Sequence, residues 1–197
     1  MAWNSGLIQR ILDFDARNFL LDSLPKNATG MEIGVHKGDF TKRILERTSP
    51  ELLYLVDPWK YESSSKYKNS WYGGWLGGSQ ERMDRRCDAV KQRFAAAISR
   101  GKVKVLRAYS SDAFASLPDA HLDWVYIDGN HLYEFVKSDL EQACRCVKPG
   151  GLITGDDYGE GGWWEGGVKR AVDEFVATRD DVELVCIKKC QFILKKR

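Results

Sequence analysis

Three aspartates and one histidine fall where two apolar runs end. Leu122 to Ile127 leads into Asp128-Gly129-Asn130-His131-Leu132-Tyr133, and Gly151 to Gly155 leads into Asp156-Asp157-Tyr158. If the two runs are neighbouring strands, Asp128, Asp156 and Asp157 meet at one edge of a sheet, and such clustering is costly without a cation or a proton. His131 stands three residues after Asp128. An imidazole with a pKa near ~6.5 can take a hydroxyl proton at neutral pH. The same residues also have a plainer reading: aspartates at strand ends cap helices, and a histidine that opens a helix can bond a backbone carbonyl or Asp156.

A second set could hold a ligand. Gly30-Met31-Glu32-Ile33-Gly34-Val35-His36-Lys37-Gly38-Asp39-Phe40 reads as a strand, a glycine turn and a helix start, with the spacing Glu-x-Gly-x-x-x-Gly. In open α/β sheets the crevice beyond such a strand holds the ligand, and glycines let it approach the backbone at a helix N-terminus. Otherwise the glycines simply make the turn. The spacing is not the Gly-x-Gly-x-x-Gly of a dinucleotide site, and no Gly-Lys-Ser/Thr completes a P-loop. The run Leu52 to Val56 ends on Asp57. About 20 residues beyond a glycine turn, a carboxylate can accept both ribose hydroxyls, or it can cap the turn before Pro58.

The elements that must position these residues follow a βα rhythm. Apolar runs at 30–35, 52–56, 103–107, 123–127 and 151–155 predict strands, and helical periodicity marks 39–48, 81–99, 111–117 and 133–147. A helix at 166–178 is followed by Val182 to Ile187 and Gln191 to Leu194, which read as a terminal antiparallel hairpin. The fold class is therefore α/β: a Rossmann-like, doubly wound, mostly parallel seven-stranded sheet with a C-terminal antiparallel hairpin. An NAD-binding domain normally ends in a parallel strand. Residues 1–27 form a leading helical segment, with apolar spacing over 5–24. Residues 58–80, rich in Ser, Gly, Trp and Tyr, break the rhythm as an insertion.

The 197 residues fit one domain, 1–197, and 30 basic against 28 acidic residues give no indication of nucleic acid binding. Five cysteines without a CxxC pair read as reduced thiols. The apolar cluster Phe19-Leu20-Leu21 is broken by Asp22 and Pro25, so neither a signal peptide nor a membrane span is expected and the chain is assigned to the cytoplasm.

The segment MEIGVHKGDF resembles the first motif of class I S-adenosylmethionine-dependent methyltransferases. That resemblance implies that Gly34 and Gly38 leave room for the methionine part of the cofactor and that Glu32 lies near its amino group. It also implies that Asp57 holds the ribose and that Ser110 and Ser111 contact the adenine, although either serine could instead be the N-cap of the next helix. Asp-Gly-x-His-x-Tyr with Gly-Gly-x-x-x-x-Asp-Asp, over about residues 28–178, is similar to the metal-dependent O-methyltransferases of the catechol and macrolide-sugar types. By that similarity Asp128, also a cofactor contact, joins Asp156 and Asp157 in binding Mg²⁺, and His131 takes the place of a lysine base. A nearby Mg²⁺ would lower the pKa of the acceptor hydroxyl.

Trp163 and Trp164, with Trp71, Tyr72 and Trp75 of the insertion, would form an aromatic lid over the acceptor, or else pack a homodimer interface or the loops themselves. The expected activity is methylation of a hydroxyl on a small molecule or sugar, with Asp128, His131, Asp156 and Asp157 as the reactive group. The competing readings are a metal-independent N- or C-methyltransferase and a non-catalytic cofactor-binding protein. His36 and His121 are expected to be a loop and a surface residue.

Overall fold

The computed structural model describes residues 17–197. The part of the leading segment before residue 17 lies outside the described residues; residues 17–23 are helical. The strands are β1 (Thr29–Ile33), β2 (Leu52–Val56), β3 (Val103–Leu106), β4 (Leu122–Ile127), β5 (Val147–Gly155), β6 (Val182–Lys188) and β7 (Gln191–Lys196). They form one sheet in the order β3-β2-β1-β4-β5-β7-β6. All pairs are parallel except those of β7, which runs antiparallel to both β5 and β6. This is the doubly wound sheet with a terminal hairpin expected from the sequence. Because β1 and β4 are neighbours while the chain winds outward from each, the crevice at their carboxyl ends is the switch point where such sheets bind ligands.

The helices are α1 (Asp39–Thr48), α2 (Gly74–Gly77), α3 (Gln80–Arg93), α4 (Ala95–Ser99), α5 (Ser110–Ala115), α6 (Tyr133–Cys146) and α7 (Gly167–Ala177). Alternate residues of the central strands face opposite sides. Leu53, Leu55, Trp124 and Tyr126 pack with residues 20–24, α1 and α3, whereas Met31, Ile33, Val125 and Ile127 pack with α5, α6 and α7. Both faces are buried, as a parallel sheet requires, and each large side chain buried this way contributes about 1.5–3 kcal/mol. Gly30 is dictated by this packing, since a Cβ there would lie 2.1 Å from ring atoms of Trp124.

One expectation is corrected. The helix at 81–99 is two helices, because Phe94, at φ −106° and ψ 15°, ends α3 and begins α4. Its ring is turned against Gly38 of the glycine turn. The insertion 58–80 holds a 3₁₀ turn at Ser65–Tyr67, the short α2 and a bridge between Glu62 and Gly73. It is tied to α3 by Arg86, whose guanidinium donates to the carbonyls of Trp71 (2.7 Å) and Leu76 (3.3 Å). Among the described residues no helix is long and apolar enough to cross a membrane.

Candidate active site

The glycine turn sits where β1 and β4 come closest. Asp128 N–H donates to the Ile33 carbonyl and Gly34 N–H to the Val56 carbonyl, both at 2.9 Å. A Cβ on Gly34 would lie 1.9 Å from the Asp128 carbonyl oxygen, and the residue has φ +89°, so only glycine closes this junction. Gly38, at φ 76°, is the N-cap of α1 and provides no side-chain cap. The first N–H groups of that helix therefore receive no capping oxygen from a side chain of the N-cap residue.

Asp57 is half-buried at the end of β2. Its carboxylate accepts from His36 N–H (2.9 Å) and Trp59 N–H (2.7 Å), which ties the glycine turn to the second strand. Burial raises its pKa while these backbone donors hold it down. It thus does fasten a turn, and a carboxylate with about four lone-pair sites retains acceptor capacity. Glu32 is buried within β1 and accepts a hydrogen bond from Thr41 Oγ1 at 2.6 Å. Burial pushes its pKa up to about 8, with Thr41 opposing and Asp128 adding to the rise.

Ser110 turns its hydroxyl to Asp139, a buried carboxylate of α6, and Ser111 is exposed. Neither is an N-cap. Tyr109 occupies that place in α5 and makes no side-chain cap bond.

The carboxylates do meet at the edge of β4 and β5, together with a cation that the sequence reading missed. Arg17 Nε donates to Asp156 Oδ2 at 3.0 Å, and its Nη2 pairs with the same oxygen and, at 3.4 Å, with Asp128 Oδ2. Burial opposes the charge on Arg17, but Tyr126, Asp128 and Asp156 outweigh it and hold the guanidinium protonated more firmly than usual. Asp156 Oδ1 accepts from Asp157 N–H (2.8 Å) and from Gln191, the first residue of β7, while the Tyr126 hydroxyl lies 3.5 Å from Oδ2. The lone pairs of Asp156 are thereby engaged. A signal for Arg17 existed: Leu20 and Leu21, three and four residues on, are both buried, so Arg17 lies on the apolar stripe, where a charge needs a partner. Gln191 carried no such signal.

Asp128, His131 and Asp157 form the rest of the cluster. One ligand atom from each lies within 4.8 Å of the others. His131 stands between the two carboxylates, with Nε2 3.4 Å from Asp128 and Nδ1 3.3 Å from Asp157, and neither ring nitrogen makes an aligned hydrogen bond among the described residues. Burial lowers its pKa, but Asp128 and Asp157 outweigh burial and raise it. Burial lifts Asp157 to about 6 against the pull of His131. The helix-cap reading does not hold for these aspartates, because the N-caps of α6 and α7 are Leu132 and Gly166. His131 reaches neither a backbone carbonyl nor Asp156, in contrast to its plainer reading.

An aromatic layer covers the cluster. The ring of Trp164 lies 4.9 Å and that of Trp163 6.1 Å from His131, and Tyr67 and Tyr72 pack on Trp163 at 5.5 and 6.1 Å. Asn130 Nδ2 donates to the Tyr67 hydroxyl at 3.1 Å, joining the insertion to the loop that carries His131. Trp71 and Trp75 are 61% and 87% exposed, and Trp71 packs 5.7 Å from the ring of His36, so within the insertion it is Tyr67 and Tyr72 that pack on Trp163. His121 is half-buried with Nε2 3.1 Å from the Tyr54 hydroxyl, not a free surface residue.

A sheet of this order, with a glycine turn and acidic residues at the carboxyl ends of β1, β2 and β4, is the class I methyltransferase fold. Residues 31–158 match the methyltransferase domain family, and the chain belongs to it as a class I S-adenosylmethionine-dependent methyltransferase. No curated protein sequence matches the chain. Solved structures share the fold. The O-methyltransferase from Bacillus cereus in complex with SAH is 17% identical with a TM-score of 0.63, covering 92% of this chain and 79% of its own. The O-methyltransferase TomG from Streptomyces achromogenes, in complex with SAM, is 17% identical with a TM-score of 0.60, covering 99% and 81%. An rRNA methylase from Streptococcus thermophilus is 12% identical with a TM-score of 0.57, covering 92% and 93%.

Proposed function

We infer that the protein transfers the methyl group of S-adenosylmethionine to a hydroxyl of a small molecule or sugar, with His131 taking the hydroxyl proton. The observation that carries this reading is the half-buried imidazole between Asp128 and Asp157, 3.4 and 3.3 Å away, at the carboxyl edge of the sheet. The cofactor supplies a methyl group already activated on a sulfonium, which leaves alignment and proton removal to the chain. Burial favours the neutral form of Glu32 in this structure, with its pKa raised to about 8; a cationic amino group brought beside it would lower that value and pair with the carboxylate. Asp57 accepts the ribose hydroxyls, Gly34 and Gly38 give the backbone room, and Ser110 and Ser111 stand in the first turn of α5, after β3, for the adenine. Asp128 and Asp157 orient the imidazole and offset the charge it gains. A sulfonium nearby favours the neutral ring, which readies His131 to accept a proton. Tyr67, Tyr72, Trp163 and Trp164 exclude water above it.

Assistance by Mg²⁺ is a second reading, favoured by the convergence of Asp128, His131 and Asp157 and by the unpartnered ring nitrogens. Asp128 and Asp157 would hold the ion beside His131, and Asp156 would join only once released by Arg17. The ion would acidify the acceptor hydroxyl. The reaction is assigned to the cytoplasm, a reading supported by the lack of any disulfide among the described residues.

The test is calorimetric titration with S-adenosylhomocysteine, with Mg²⁺ and again with a chelator, on the wild type and His131→Ala. Binding by both proteins, with a turnover loss of about 10²–10⁴ in the variant against hydroxyl acceptors, is expected. Binding that strengthens with Mg²⁺ supports the metal reading. No binding in either buffer overturns the function, and full turnover by His131→Ala removes the base.

A further inference from the structure

Helix α3 has a cationic side. Arg82, Arg85, Arg86, Ala89 and Arg93 recur at intervals of three and four residues, which places them on one face. With Lys37 of the glycine turn they line a groove of about 510 Å³ in which no carboxylate takes part. Like charges at these spacings weaken a helix. Arg93 is partly compensated by Asp39 at 2.7 Å and by the Lys37 carbonyl at 3.0 Å, and Arg86 is spent on the carbonyls of Trp71 and Leu76. Lys37, Arg82 and Arg85 are exposed and have no ion-pair partner among the described residues. The neighbouring His36 records the field: burial, then Arg86 and Lys37, push its pKa down to about 4. Ala89, with its short side chain, leaves the floor open between the arginines.

The groove adjoins the reacting edge. Lys37 belongs to the turn whose Gly34 abuts Asp128. Arg86 holds the carbonyl of Trp71, and the next residue, Tyr72, packs on Trp163, which packs on His131. A single aromatic layer thus links the cationic groove to the base. Guanidinium groups in a row match phosphate oxygens in geometry and charge, and the volume suits a small molecule.

We propose that this groove binds the phosphate or diphosphate group of the methyl acceptor, so that the substrate is a phosphate-bearing small molecule such as a phosphorylated or nucleoside-diphosphate-linked sugar. The proposal rests on the methyl-transfer reading for what happens at the other end of the acceptor. The groove itself is tested separately.

The experiment titrates the full chain with inorganic pyrophosphate, with uridine diphosphate, with a single-stranded RNA oligonucleotide and, in parallel, with S-adenosylhomocysteine. Each titration is repeated on Arg82→Ala/Arg85→Ala, whose exposed substitutions leave the core intact, as a thermal melt verifies. Pyrophosphate and uridine diphosphate are expected to bind the wild type and to bind the double variant at least about tenfold more weakly, with S-adenosylhomocysteine affinity the same in both. Failure of both phosphates to bind, or equal binding by the variant, overturns the proposal. RNA binding tighter than either, with a steep fall in added salt, overturns it in favour of a nucleic-acid backbone. Loss of S-adenosylhomocysteine binding by the wild type would sink the methyl-transfer reading instead, and the phosphate titrations still decide the groove.

Discussion

Asp139 carries a pH-dependent stability cost that one substitution removes. It is buried in α6 with Ser110 as its hydrogen-bond donor, and burial raises its carboxyl from the ordinary 3.8 to about 7 although Ser110 pulls the other way. A carboxyl held above its unfolded value binds its proton more tightly in the folded state. The stability it contributes is therefore complete below about pH 3.8 and is lost as the pH rises through about 7. Between pH 5 and pH 8 that loss comes to about 2.5 kcal/mol, at about 1.36 kcal/mol per tenfold change in proton affinity. Asp139→Asn keeps the shape and the acceptor for Ser110 but cannot ionise. With a urea m-value of about 2 kcal/mol/M, the wild-type midpoint should fall by about 1 M more than the variant's between the two pH values. Any fixed cost of the buried amide shifts both variant midpoints alike and cancels. Midpoints of the two proteins that move in parallel, within about 0.3 M, would refute burial as the origin of the effect.

Asp57→Ala should raise the dissociation constant for S-adenosylhomocysteine at least about tenfold, because it removes the ribose acceptor and the bond from His36 N–H that ties the glycine turn to β2; unchanged affinity by calorimetry would remove the ribose assignment. Arg17→Ala leaves Asp128 and Asp156 without their counter-charge, so the melting temperature should drop and added Mg²⁺ should raise it more than in the wild type. Equal Mg²⁺ responses would mean that the guanidinium and the ion do not compete. Gly34→Ala drives a Cβ into the Asp128 carbonyl at a positive φ, with an expected loss of about 3 kcal/mol or more in urea unfolding; a loss below about 1 kcal/mol would show that the β1–β4 junction relaxes.

The sheet was legible because parallel strands buried on both faces leave continuous apolar runs. β2 and α1 have the bounds that periodicity assigns to them, and β5 simply begins earlier, at Val147. The break at Phe94 was hidden because the apolar rhythm continues through it, and its cause, a ring seated on Gly38, is a tertiary contact. The convergence of Asp128, His131 and Asp157 followed from strand adjacency. The capture of Asp156 did not, since Arg17 lies 139 residues away in sequence and Gln191 lies 35. For Ser110 the local motif was visible, but the partner that claims its hydroxyl sits on another helix. The insertion kept its order out of sight because Arg86 supplies it through backbone carbonyls, which leave no trace in side-chain pattern.

The final strand enters the sheet between β5 and β6, and its first residue grips Asp156. On a ribosome the cofactor crevice between β1 and β4 can be laid down early, yet the acidic edge is complete only once β7 has been made. With synthesis at about 5–20 residues per second, the 35 residues separating Asp156 from Gln191 leave that carboxylate without its amide donor for about 2–7 s. During that interval the nascent chain presents an open β5 flank, the surface a chaperone would be expected to shield until β7 arrives.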